Sequence, residues 1–156
     1  MERSEAETVS VSREIAASPE EVWALVSDLT RMGEWSPEAR GGRWAGGADG
    51  PSVGAVFKGS NRNGRYRWRT NVTVTECEPP RRFAFRLLVP FMGGCDWVYE
   101  IEPSDGGCRV TESWVDHRKK VLVVVGRLLS GVADRAAHNR AGMEATLDRL
   151  AEAFAA

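Results

Sequence analysis

The sequence predicts one α+β domain, in which a curved antiparallel sheet of seven strands packs against a long C-terminal helix. Between residues 53 and 114 nearly every second residue is large and apolar, the period of a strand with one buried face. Short turn signals interrupt this alternation, and a stretch with helical spacing closes the chain. A curved sheet around one helix leaves a cavity, so we expect function at the buried face.

The first elements follow from local signals. Apolar residues alternate over residues 8–15, which predicts a strand. Ser18 precedes Pro19 and stands three residues before Glu21, the pattern of a capping box that begins a helix. Residues 32–37 are predicted to form a second short helix or turn. A weak, glycine-rich strand is expected over residues 40–47.

The Asn-Gly pair at residues 63–64 is typical of two-residue hairpin loops. Centring the loop there pairs Gly59 with Trp68 and Phe57 with Thr70. This alignment places the apolar residues of both strands on one face, whereas a slip of one residue would invert every side chain.

The Asp-Gly pair at residues 105–106 predicts a second hairpin with the same property. It pairs Tyr99 with Glu112 and Trp97 with Trp114. The two hairpins therefore agree on one buried face, which is rich in aromatic rings.

The C-terminal helix is predicted over residues 130–153. Its buried face recurs at three- and four-residue spacing and contains Val132, Ala136, Asn139, Met143, Leu147, Leu150 and Phe154. The predicted order is strand, two short helices, six strands and a long helix, within a single domain spanning residues 1–156.

Composition narrows the classes of function. The formal net charge is −1, so no global field favours nucleic acid. Three cysteines without metal-ligand spacing indicate free thiols in a reducing compartment. We expect a cytoplasmic protein without metal or cofactor. It has no nucleic-acid partner and no stable insertion into a membrane, and it is a monomer or a homodimer.

Several stretches gain specificity from their joint order and spacing: ASPEEVW (17–23), WSP (35–37), ECEPPRRF (76–83), WVYEIEP (97–103), RVTE (109–112) and residues 139–150. Over almost the whole chain they resemble the START-like (SRPBCC) superfamily, in particular its polyketide cyclase/dehydrase and lipid-transport branch. The resemblance implies a helix-grip fold with a deep cavity between sheet and last helix. It also implies binding of lipids, polyketides or other apolar molecules, and a minority of members catalyse cyclisation or dehydration.

Glu112 is the sharpest candidate for chemistry in the cavity. The hairpin register places its carboxyl group on the buried face opposite Tyr99, where an unpaired charge is costly. In one interpretation Glu112 pairs internally with Tyr99, or with Arg13 on the first strand. In the other, Glu112 and Tyr99 form a polar anchor or a catalytic acid/base pair.

The other candidates share the inward face of the sheet or of the last helix. The Asn139 amide bonds either a ligand carbonyl or a backbone group. The full set of predicted ligand-binding residues is Arg13, Phe57, Trp68, Val72, Phe85, Leu87, Trp97, Tyr99, Val110, Glu112, Trp114, Asn139 and Met143.

Residues 121–129 are more apolar than a solvated connection requires. They form a lid over the cavity, a turn of buried helix or a dimer contact. We expect the mouth of the cavity between this segment, the loop at residues 90–94 and the start of the final helix.

The sequence favours a carrier or sensor that binds a hydrophobic small molecule between the sheet and the C-terminal helix. One alternative is an enzyme of the cyclase/dehydrase kind, in which the cavity folds a reactive chain while Glu112 and Tyr99 move protons. Another alternative is a protein-interaction module or chaperone regulator, with residues 121–132 as the partner surface.

Overall fold

The structure, a computed structural model, describes residues 7–155. Its strands are β1 (Glu7–Ile15), β2 (Ala39–Trp44), β3 (Val56–Asn63), β4 (Tyr66–Glu78), β5 (Arg82–Val89), β6 (Gly93–Ser104) and β7 (Gly107–Asp116). Its helices are α1 (Pro19–Val26), a 3₁₀ helix (Leu29–Glu34), α2 (Lys120–Ser130) and α3 (Arg135–Ala153). All strand pairs are antiparallel, in the order β1-β7-β6-β5-β4-β3-β2, which confirms the predicted seven-stranded α+β fold.

The capping box predicted at the start of α1 is present. Ser18 Oγ accepts a hydrogen bond from the backbone N of Glu21 at 3.2 Å. In return the Glu21 carboxylate accepts one from the backbone N of Ser18 at 2.9 Å. Each bond satisfies a backbone donor that the first helical turn leaves unpaired, and the helix then buries Val22 and Val26.

The register predicted for the β6–β7 hairpin is confirmed. Tyr99 lies opposite Glu112, and Trp97 lies opposite Trp114. The rings of this tryptophan pair have centroids 6.5 Å apart. Because the turn residues and the apolar period agree here, the sequence alone specified which side chains share the buried face.

The register predicted for the β3–β4 hairpin is wrong by two residues. The loop consists of Gly64 and Arg65, so Trp68 lies opposite Asn61 and not Gly59. Gly64 has a φ of 57° at the first loop position, the arrangement of a type II′ turn. A shift of two residues preserves the alternation, and the predicted buried face therefore survives the error.

The long C-terminal helix predicted over residues 130–153 is present as α3, which begins later, at Arg135. Gly131 ends α2 in the left-handed conformation with a φ of 70°, which glycine adopts without steric cost. Asp134 then begins α3, because its side chain accepts a hydrogen bond from the backbone N of Ala137 at 3.1 Å. Residues 120–130, which the sequence left open as a lid, buried helix or dimer contact, form a separate helix.

The two C-terminal helices cover different parts of the sheet. α3 packs along β1 and buries Met143, Leu147 and Leu150, while α2 lies over β4. The 3₁₀ helix packs against β2. Among the described residues, no helix is long and apolar enough to cross a membrane.

Candidate functional site

A cavity of about 310 Å³ lies between the buried face of the sheet, α2 and the start of α3. Strands β3 to β7 contribute its floor, because their alternate side chains all point to this face. Most of the lining is apolar, with a concentration of rings from Phe57, Trp68, Phe85, Trp97, Tyr99 and Trp114.

The structure brings ten of the thirteen predicted ligand-binding residues to the cavity wall: Phe57, Trp68, Val72, Phe85, Leu87, Trp97, Tyr99, Glu112, Trp114 and Asn139. These residues come from five strands and one helix. Strand alternation and helical spacing therefore located most of the wall, while ligand binding by these residues stays a prediction.

The other three predicted residues do not line the cavity. Arg13 is exposed and forms an ion pair with Asp148 on α3, so it is not the partner of Glu112. Val110 and Met143 are fully buried in the core between sheet and α3. The alternation placed Val110 on the correct face, but α3 packs directly over that part of the sheet.

Glu112 and Tyr99 form a buried hydrogen-bonded pair in the cavity wall. The Tyr99 hydroxyl donates to Glu112 Oε1 at 2.8 Å, and both side chains are almost completely buried. Burial raises the pKa of Glu112 to about 8, although the hydrogen bond from Tyr99 lowers it in part. Burial, together with the neighbouring carboxyl group, also raises the pKa of Tyr99 well above its usual value.

The second carboxyl oxygen, Glu112 Oε2, is buried without a hydrogen-bond partner. Because the pKa is raised, Glu112 is mostly protonated at neutral pH and can carry its proton on this oxygen. The pair thus offers one hydrogen-bond donor among the rings of the wall. Such a donor can hold a carbonyl oxygen or act as a general acid.

A second polar group of the cavity was not predicted from the sequence. Arg135 at the start of α3 bonds both carboxylate oxygens of Glu38, at 2.8 and 3.1 Å. Arg135 also donates to Ser130 Oγ at 2.7 Å and lies 5.7 Å from the centroid of the Trp68 ring. Asn139 Oδ1 completes the group as a 3.5 Å acceptor for Arg135.

Arg135 stands one helical turn before Asn139, so the helical spacing could have indicated it. Glu38, by contrast, lies in an irregular segment 97 residues away and carries no local signal. Because its carboxylate neutralises Arg135, this group gives the wall polarity without net charge.

The α2 wall of the cavity is contributed by Leu122, Gly126 and Leu129. Two of the three elements of the predicted mouth, this helix and the start of α3, therefore border the cavity, while the mouth itself stays a prediction. The loop at residues 90–94 does not line the cavity, although Val89 and Cys95 beside it do.

The sequence matches the family described as polyketide cyclase / dehydrase and lipid transport over residues 6–155. The chain belongs to this family. The match spans nearly all of the chain and confirms the resemblance drawn from its motifs. A search of curated proteins finds no match.

Solved structures of similar fold include the Polyketide_cyc-like protein Cgl2372 from Corynebacterium glutamicum. It is 31% identical in sequence, with a TM-score of 0.61 over 97% of this chain and 91% of that chain. The di-domain ARO/CYC StfQ from the steffimycin biosynthetic pathway is 15% identical, with a TM-score of 0.73 over 97% of this chain and 51% of that one. The Aha1 dimer from Colwellia psychrerythraea is 16% identical, with a TM-score of 0.66 over 95% of this chain and 96% of that one. The last two likenesses show the shared helix-grip fold.

Proposed function

We propose that this protein binds a hydrophobic small molecule in the cavity between sheet and helices, as a carrier or sensor. The observation that carries the proposal is the ring-lined cavity of about 310 Å³, whose lining is mostly apolar. This volume lies at the lower end of the range for small-molecule pockets, about 300–1,000 Å³. The family's description, which includes lipid transport, supports the same function.

The polar groups of the wall narrow the ligand class. The protonated Glu112 offers a hydrogen bond, which favours a ligand with a carbonyl or hydroxyl oxygen. Arg135 is neutralised by Glu38, so a charged ligand group would have to displace an existing ion pair. We therefore infer a neutral, largely apolar ligand with one oxygen acceptor, as in a lipid or an aromatic polyketide.

A matched pair of variants tests the cavity as the binding site, with the neutral apolar dye nile red as probe. Val72 lines the cavity, whereas the adjacent Thr73 is exposed on the other face of β4. Val72→Trp is expected to fill the cavity and weaken dye binding about tenfold or more, while Thr73→Trp leaves it unchanged. Dye fluorescence measures the binding, and native mass spectrometry of the purified protein identifies any retained ligand. Equal dye binding by both variants, or none by the unaltered protein, contradicts the proposal.

A second candidate function is acid/base catalysis on a bound poly-ketone chain. It is favoured by one specific observation: a buried carboxyl group with one unpartnered oxygen, held in place by a buried phenol. Glu112 would donate its proton to a ligand carbonyl as the chain folds and cyclises, a contribution of about 10²–10⁴-fold in rate.

The two functions are separated by adding a poly-β-ketone and following loss of water by mass spectrometry. An enzyme is expected to release water, and Glu112→Gln to slow this about 10²-fold while ligand binding persists. Unchanged ligand mass leaves the carrier function alone, whereas equal turnover by the variant overturns the role of Glu112 in catalysis.

The cellular compartment also remains a proposal. Cys77, Cys95 and Cys108 are free thiols in the structure, and two of them are buried. Free thiols are usual in reducing compartments, which supports the cytoplasm.

A further inference from the structure

One end of the sheet exposes an unusual group of apolar side chains. The described residues expose seven large apolar side chains, and five of them lie on the β5–β6 turn or α2. We call these five the apolar end surface: Phe91, Val121, Val124, Leu128 and Leu129. Exposed apolar groups collected in one region mark an interaction site.

Hydrogen bonds hold these segments together at one end of the sheet. The backbone N of Lys119, just before α2, donates to the carbonyl of Met92 in the β5–β6 turn at 2.9 Å. At the other end of α2, Asn63 Nδ2 from the β3–β4 hairpin donates to the carbonyl of Ser130 at 2.9 Å. Helix α2 is therefore attached at each of its ends to a hairpin of the sheet.

Phe91 forms the most prominent point of the surface. Its side chain is 94% exposed, and its backbone has a φ of 64°, which bulky residues rarely adopt. The strained backbone places an aromatic ring in solvent, where the ring packs against nothing in the chain. This conformation therefore indicates a contact with another molecule.

The helix α2 separates the cavity from this surface. Val121, Val124 and Leu128 follow one another at three- and four-residue spacing and share its outer face. Leu122 and Gly126 face the cavity. A molecule that passes between cavity and exterior at this end has only one helix to displace.

Cations are concentrated around α2. Residues 117–133 contain two arginines and two of the chain's three lysines, but no carboxylate. Asp116 and Asp134 flank this stretch, and Asp116 pairs with Arg118. Lys119 and Lys120 are exposed at the start of the helix, and Arg127 is exposed on its side. The formal net charge of the whole chain is −1, so this concentration of positive charge is local.

We propose that the apolar end surface docks on an anionic lipid membrane, with α2 in the interface and its cations on lipid phosphates. Exposed apolar side chains flanked by cations on an amphipathic helix are what such a surface binds. A second copy of the chain fits less well, because a symmetric contact would bring the same cations face to face. Transfer of ligand past α2 rests on the proposed function, whereas docking itself does not.

Vesicle co-sedimentation tests the docking. Vesicles that contain phosphatidylglycerol are expected to bind the protein, and pure phosphatidylcholine vesicles to bind it about tenfold or more weakly. The double variant Val124→Asp with Leu128→Asp is expected to lose binding to both. Val53→Asp is the control, because Val53 is 67% exposed but lies before β3, at the opposite end of that strand from the apolar end surface.

A charge-matched pair tests the cations. Replacing Lys119, Lys120 and Arg127 with Gln is expected to weaken binding to anionic vesicles about tenfold or more. The same change at Arg43, Lys58 and Arg81, exposed on β2, on β3 and in the β4–β5 turn, is expected to have little effect. Circular dichroism and thermal unfolding show whether each variant is folded.

The outcomes distinguish the two proposals. Nile red binding without vesicle binding overturns docking and leaves the ligand function intact. Vesicle binding without nile red binding overturns the ligand function and leaves docking intact. Self-association that Val124→Asp with Leu128→Asp abolishes, without vesicle binding, overturns the membrane in favour of a second copy.

Discussion

At the scale of single residues, Glu112 is the group whose protonation state depends most on the fold. Its carboxyl group is buried among rings and holds one hydrogen bond from Tyr99. The folded protein therefore binds a proton on Glu112 up to a pH of about 8, whereas the unfolded chain releases it near 4.5. Between these values folding takes up a proton, and stability falls as pH rises.

The variant Glu112→Gln tests this linkage. The free energy of unfolding of the unaltered protein is expected to fall between pH 5 and 8, by at most about 4 kcal/mol. In Glu112→Gln this component is absent, since Gln does not ionise but still accepts from Tyr99. Urea unfolding followed by tryptophan fluorescence measures the difference. Glu144→Gln, an exposed position on α3, is the control and should keep the original slope. Equal slopes in all three proteins would contradict the assignment.

At the scale of elements, the α2–α3 junction decides how the cavity is closed. Gly131 adopts a φ of 70°, and a Cβ atom there would lie 2.4 Å from the ring of Tyr66 on β4. The helix end and the β3–β4 hairpin therefore meet only because residue 131 has no side chain.

Two alanine substitutions separate the effect of this contact on stability from the effect of helix propensity. Gly131→Ala is expected to destabilise the fold by about 2–4 kcal/mol, from the left-handed backbone and the clash with Tyr66. Gly126→Ala, in the middle of α2 with open space around it, is expected to stabilise by about 0.5–1 kcal/mol. Chemical denaturation of both variants measures these changes. A neutral effect at Gly131 would show that the junction is not closely packed.

At the scale of the whole molecule, the two helices on the sheet have different roles. α3 buries Asn139, Met143, Thr146, Leu147 and Leu150, while Ser130 is the one residue of α2 that is buried. The free energy of opening α2 is therefore expected to be lower than that of α3, as is common for segments that move around binding sites. The cavity therefore lies innermost, α2 covers it, and the apolar end surface lies on the outside.

The sequence and structure agree most closely where local chemistry decides the outcome. The β6–β7 register was predictable because an Asp-Gly turn and a two-residue apolar period select the same alignment. The β3–β4 register was missed because Asn63-Gly64 and Gly64-Arg65 are both acceptable loops, and both preserve the buried face. Val110 was placed on the correct face, but α3 covers it.

The sequence by itself determined the seven strands, their buried face and the meeting of Tyr99 with Glu112, because alternation and turn residues act between neighbours in the chain. Only the tertiary structure decided that Arg135 pairs with Glu38 and that Arg13 pairs with Asp148. These outcomes depend on how helices pack over the sheet. Such packing joins residues about a hundred positions apart, for which no local pattern exists.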